Sequence, residues 1–178
     1  MLRRGRPAPP GNKPFGPGAE GVGPGALVPR FVFTDLQSVT VQETLAEMAR
    51  RLAAAGVVED AEELTRRLLE REQLGCTGLG SGIAIPHCKW KGLSEIVVAI
   101  GSSRSGIEFH AADGVPVTLV FLILSPAQAP ALHLQALARI SRLLRTPGVA
   151  ESLRRASTPE EILEALREAE TALPVGTA

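Results

Sequence analysis

Aromatic residues are almost missing from this chain: one Trp, five Phe and no Tyr, 3% of its 178 residues. Since 44% of the sequence is hydrophobic, any core has to be aliphatic, built from Leu, Val, Ile and Ala. Cysteine is scarce as well, and the two present, Cys76 and Cys88, are too few for a disulfide framework. There is no excess of charge, because 19 basic and 19 acidic side chains cancel. That balance argues against nucleic acid as the main partner. No apolar run reaches the roughly 18 residues that membrane insertion of a helix requires. The amino-terminal arginines lead into no apolar stretch, so a secretory signal is not expected. These absences point to a soluble, cytoplasmic protein.

Glycine and proline are plentiful and unevenly placed. They crowd residues 1–30, as in Pro7-Ala8-Pro9-Pro10-Gly11 and Gly21-Val22-Gly23-Pro24-Gly25. The same segment holds Arg3, Arg4, Arg6, Lys13 and Arg30 against Glu20 alone, a net +4 that leaves −4 for the rest. With little to bury, residues 1–30 read as a disordered basic tail. One globular domain is expected over residues 31–172, followed by a flexible end at 173–178.

Within that domain, Thr40 with Glu43 forms a capping-box pattern, and Leu45, Met48, Ala49, Leu52 and Ala53 follow at helical spacing. Asp60 with Glu63 repeats the signal ahead of Leu64, Leu68 and Leu69. Arg71 and Glu72 fall in that helix's final turn. Strand-like runs come next at Ile83–Ile85, Ile96–Ile100 and Val115–Leu124, the last apolar enough for a central strand covered on both faces. The spacing then predicts a helix from Pro130 to Leu144, and Thr158, Pro159 and Glu161 start a last one to about Glu170. Helices before, between and after strands imply a layered α/β domain.

The most informative stretch is Gly82-Ile83-Ala84-Ile85-Pro86-His87. A histidine is expected where a short buried strand gives out, behind the glycine-rich loop Thr77-Gly78-Leu79-Gly80-Ser81-Gly82. Backbone amides of Thr77, Gly78 and Gly82 are candidates for an anion-binding nest. The loop is neither a Walker A motif nor a dinucleotide fingerprint. His133 stands at the start of a helix just after the central strand, where α/β sheets bind ligands. His110 has no evident chemical companion and reads as a surface residue.

Three chemistries fit this set. Zinc binding has the ligand types in Cys76, His87, Cys88, His110 and His133, but lacks the usual close-spaced pairs. Hydrolysis would use Cys88 or Ser81 with a histidine base, without a nucleophile elbow or an orienting acid. Phosphorylation of His87 needs only a neutral imidazole and nearby donors, which Arg71, His133 and the loop amides would supply.

The order and types of these residues tip the choice. Arg71-Glu72, Cys76-Thr77-Gly78 and Gly82–His87 resemble the mannitol/fructose-type (type 2) enzyme IIA domain of the bacterial phosphoenolpyruvate-dependent phosphotransferase system. So do Gly106-Ile107-Glu108-Phe109, Asp113-Gly114-Val115-Pro116-Val117, Val120–Ile123, Pro126, His133-Leu134 and Leu137-Ala138. The similarity spans roughly Phe31 to Glu170. It implies a single-domain α/β/α sandwich whose mixed central sheet is flanked by helices. It also implies that His87 accepts a phosphoryl group from an HPr-like phosphocarrier protein, with His133 and Arg71 stabilising the phosphate. No cofactor or metal is implied. The onward partner would be an enzyme IIB or a regulatory target protein. Arg139-Ile140-Ser141-Arg142-Leu143-Leu144 looks more like the nitrogen-related regulatory branch, which leans the reading towards regulation. Cys88 stands where many members have glycine, and Trp90 is placed either to line a docking face or to pack into the core.

Overall fold

The computed structural model describes residues 29–172. Of the tail expected over 1–30, residues 1–28 lie outside the described residues, as does the end at 173–178; Arg30 is described, its amide donating to the Val98 carbonyl at 2.9 Å. In chain order the elements are β1 (Phe31–Phe33), α1 (Val41–Ala54), α2 (Ala61–Gln73), β2 (Gly78–Gly80), β3 (Ile83–Ala84) and β4 (His87–Trp90). They continue with β5 (Val97–Ile107), β6 (Val117–Pro126), α3 (Pro130–Arg145), α4 (Val149–Arg155) and α5 (Pro159–Ala172).

β6 organises the mixed sheet. It pairs antiparallel with β5 on one side and parallel with both β3 and β4 on the other. β1 adds parallel to β5, and β2 adds antiparallel to β3. Being covered on both faces, β6 is apolar almost throughout, as the sequence predicts. Alternation along it builds two cores. Val120, Leu122 and Leu124 pack with α1 and α2, whereas Phe121 and Ile123 pack with α3, α4 and α5. The domain is therefore the expected α/β/α sandwich with a mixed sheet. Both cores are mainly aliphatic, with Phe31, Phe33 and Phe109 added to the first and Phe121 to the second, and each large apolar side chain wholly withdrawn from water contributes about 1.5–3 kcal/mol.

The helix starts follow their caps. Thr40 Oγ1 accepts from the Glu43 amide at 3.3 Å, and Asp60 Oδ1 accepts from Glu62 and Glu63 at 2.9 Å each. Glu63 does not reach back to complete a box; it pairs with Arg66 and Arg67 instead. α4 had no sequence signal strong enough to announce it. It follows Gly148, whose φ of +83° reverses the chain after α3.

His87 does not stand where a strand gives out, the position expected from the sequence, but opens β4. β3 and β4 are two halves of one neighbour of β6, with registers Ile83↔Leu119 and His87↔Ile123. Pro86 lies between them and has no N–H to donate to the ladder. Its carbonyl still accepts from the Ile123 amide at 3.0 Å, so the chain stays against β6 across the break. That interruption next to the central strand is what displays the imidazole.

Candidate active site

Arg71, His87 and His133 come from three different elements and meet at one end of the sheet. Arg71 lies in the last turn of α2, where a cation is favoured by the helix dipole. Its Nε donates to His87 Nε2 at 3.0 Å, and one terminal nitrogen donates to the Gly75 carbonyl at 3.0 Å. His87 Nδ1 lies 2.7 Å from the Ile85 carbonyl oxygen. A carbonyl only accepts, so Nδ1 carries the ring proton and Nε2 presents its lone pair. Arg71 donating to Nε2 requires the same tautomer. The two contacts thus fix both the orientation of the ring and the nitrogen that can act as a nucleophile.

Burial holds the His87 pKa below the ordinary histidine value; the Ile85 carbonyl opposes that shift, and the Arg71 charge adds to it. The ring is therefore neutral at neutral pH. His133, in the first turn of α3, places its ring centroid 5.3 Å from that of His87, the planes tilted by 52°. Its Nδ1 is 2.8 Å from Ser125 Oγ at the end of β6. Burial lowers its pKa too, helped by His87, Lys89 and Arg71. The site thus joins two imidazoles to the Arg71 guanidinium, with the Lys89 charge felt at His133 and the Glu72 carboxylate felt at His87.

The glycine loop behaves differently from the expected nest. The Thr77 amide donates to Glu72 Oε1 at 2.8 Å, and its hydroxyl donates to Glu72 Oε2 at 2.6 Å. The Gly78 amide is directed at Cys76 Sγ at 3.2 Å. The Gly82 carbonyl accepts from the amides of Thr118 and Leu119, and that buried glycine holds a φ of +77° against β6. These residues shape and anchor the turn, and the amides of Thr77 and Gly78 are already taken by protein acceptors. Glu72 is the residue that sequence reasoning undervalued: it staples the loop to the helix end that carries Arg71. Asp113 performs a similar service further along, accepting from the Ser81 and Val115 amides.

The other candidates are held elsewhere. Cys88 is buried in the core beneath α1 and α2, and burial pushes its thiol up to about 12. The Cys76 thiol donates to the Phe109 carbonyl at 3.1 Å. His110 is exposed at a φ of +52°, 3.7 Å from Glu108. Among the described residues, no three His, Cys, Asp or Glu side chains gather as metal ligands. Neither Ser81 nor Cys88 makes a hydrogen bond to a histidine there. Trp90 is half-buried, packed against the core with the Arg67 guanidinium over its ring at 5.4 Å. Leu74, three residues past Arg71, and Leu132 and Leu134, the chain neighbours of His133, are exposed apolar side chains.

A sandwich of this topology carrying a paired-histidine site at one end of its sheet defines a class of protein, and the comparisons agree on which. Residues 27–169 match the family described as phosphoenolpyruvate-dependent sugar phosphotransferase system, EIIA 2. A nitrogen regulatory protein of Bradyrhizobium diazoefficiens is 38% identical over 152 residues, 85% of this chain and 95% of that one. The fructose-specific EIIABC component of Bacillus subtilis is 32% identical over 142 residues, 80% of this chain but 22% of that longer protein. The solved structure of the nitrogen regulatory protein IIA-Ntr from Neisseria meningitidis superposes with a TM-score of 0.69 at 31% identity, covering 76% of this chain and 91% of that one. The chain belongs to the type 2 enzyme IIA family of the phosphotransferase system. No helix among the described residues is long and apolar enough to cross a membrane.

Proposed function

We propose that the protein is a phosphocarrier that takes a phosphoryl group on His87 Nε2 from a phosphohistidine of an HPr-like carrier. The observation that carries this reading is the His87 tautomer, with its proton held on Nδ1 by the Ile85 carbonyl. In the transfer, the Nε2 lone pair attacks phosphorus in line as the bond to the donor's imidazole nitrogen breaks. The donor ring leaves with that electron pair. The positive charge that develops on His87 is shared through Nδ1–H with the Ile85 carbonyl, and no proton has to move. Arg71 must release Nε2 as the phosphoryl group arrives, and it then faces the phosphoryl oxygens as a charged donor. His133 flanks the same oxygens. The exposed leucines Leu74, Leu132 and Leu134, close in sequence to Arg71 and His133, suit docking of a small protein.

The output we propose is regulatory: binding of target proteins in one phosphorylation state. Phosphorylation adds about −1.5 to −2 charges to the docking face, enough to change its partners. Support comes from the nitrogen regulatory relative, which matches along 95% of its own length. The fructose-specific relative supports a second output, passage of the phosphoryl group to an enzyme IIB for sugar uptake.

The test is phosphorylation of wild type and His87→Ala by phosphoenolpyruvate, enzyme I and HPr, read as intact mass. An acid-labile gain of one phosphate confined to wild type is expected. No gain with a competent HPr, or a gain that persists in His87→Ala, overturns the reading. Adding fructose- or mannitol-type enzyme IIB then separates the outputs: loss of the phosphate to IIB favours transport, and retention favours regulation.

A further inference from the structure

Ser125 is a polar residue at the far end of the most apolar strand in the protein, and it is completely buried. Such a hydroxyl needs a hydrogen-bond partner. Among the described residues, its only one is His133 Nδ1 at 2.8 Å. Two arrangements satisfy the distance. If Nδ1–H donates to Oγ, the hydroxyl proton is left buried without an acceptor. If Oγ–H donates to Nδ1, both groups are satisfied and the imidazole proton sits on Nε2.

We infer that Ser125 is a positioning residue that holds His133 in its Nε2–H tautomer, so that the ring offers a donor beside His87. The inference rests on the phosphocarrier reading for its purpose but not for its geometry. A phosphoryl group is a dianion with acceptor oxygens only. The Nε2–H tautomer meets it with a donor, whereas the other would meet it with a lone pair. His133 is neutral in the free protein, because burial and the charges of Arg71 and Lys89 disfavour its cation. With a single ring proton, its position decides what the residue can do. The two histidines of the site are then locked in opposite tautomers, His87 by a carbonyl that only accepts and His133 by a hydroxyl that donates.

Long-range nitrogen–proton NMR on the full-length, unphosphorylated protein reads the tautomer directly. Wild type should show His133 with its proton on Nε2. Ser125→Ala, which removes a single buried oxygen, should show a mixture, and Ser125→Thr should restore the wild-type pattern if the fold accepts its methyl group. In phosphoryl transfer from phospho-HPr, Ser125→Ala should slow the rate about tenfold, within the range of coupling between hydrogen-bonded neighbours. The same change in a His133→Ala background should cost nothing more. His133 protonated on Nδ1 in wild type, or an unchanged tautomer in Ser125→Ala, overturns the inference. So does an equal slowing in both backgrounds. A wild-type protein that accepts no phosphate at all would refute the phosphocarrier reading, and the NMR result would still decide the role of Ser125.

Discussion

The two histidines of the site differ in what holds them. His87 is oriented by the main chain: the Ile85 carbonyl takes its Nδ1 proton, and Arg71 caps the opposite nitrogen. His133 is oriented by a side chain, the Ser125 hydroxyl, on a helix that begins only three residues earlier. A main-chain partner cannot be removed by substitution and depends only on the break at Pro86 that turns the carbonyl towards the ring. A side-chain partner can be lost in one step. The proposed nucleophile is thus held by the main chain, while its companion is held by a side chain that substitution can change. In the proposed phosphocarrier role, such a division would let the rate change while His87 still accepts phosphate.

Removing each ring in turn should separate the two histidines most strongly. His87→Ala should abolish phosphate acceptance outright, whereas His133→Ala should slow it and leave the final mass gain intact in an end-point assay. Equal loss in both would mean that the division of labour is wrong. Next in size is Arg71→Gln, which in the proposed role removes a charged donor from the phosphoryl oxygens. Single-turnover transfer should slow about 10²–10³-fold, the range for loss of one preorganised donor.

Glu72→Ala is expected to act on stability as well as on rate. It strands the buried Thr77 amide and hydroxyl, at a cost of about 1–3 kcal/mol in urea unfolding. The smallest effect is on pH dependence. Both imidazoles titrate below the ordinary histidine value, so the folded state favours their neutral forms. Their contribution to stability is full above about pH 6.5 and is lost as pH falls through the folded-state values. Wild type should therefore lose more stability between neutral pH and about pH 5 than His87→Gln does, measured by urea unfolding at each pH.

Much of this site is legible in the sequence, because Arg71, His87 and His133 each sit at an element boundary marked by a cap, a proline or the end of an apolar run. The less visible parts are those that exist only through pairing. β3 and β4 are too short to show a period of their own and are strands because β6 lies beside them. β2 is Gly-Leu-Gly, a sequence with no strand preference. The loop glycines suggested an open nest, yet Glu72 takes the Thr77 amide, a contact that no local spacing announces. Ser125 had a faint signal: a hydroxyl closing an apolar run, just before Pro126 and in the strand that leads to His133. Its meaning appears only once α3 folds back and brings His133 to it.

In the proposed function Nε2 of His87 is the phosphoryl acceptor, chosen by the Ile85 carbonyl. Nitrogen–phosphorus coupling measured by NMR on the phosphorylated, nitrogen-labelled protein tests it most directly. Coupling to Nε2 of His87, with the proton still on Nδ1, is expected. Coupling to Nδ1, or to any nitrogen of His133, would overturn the assignment.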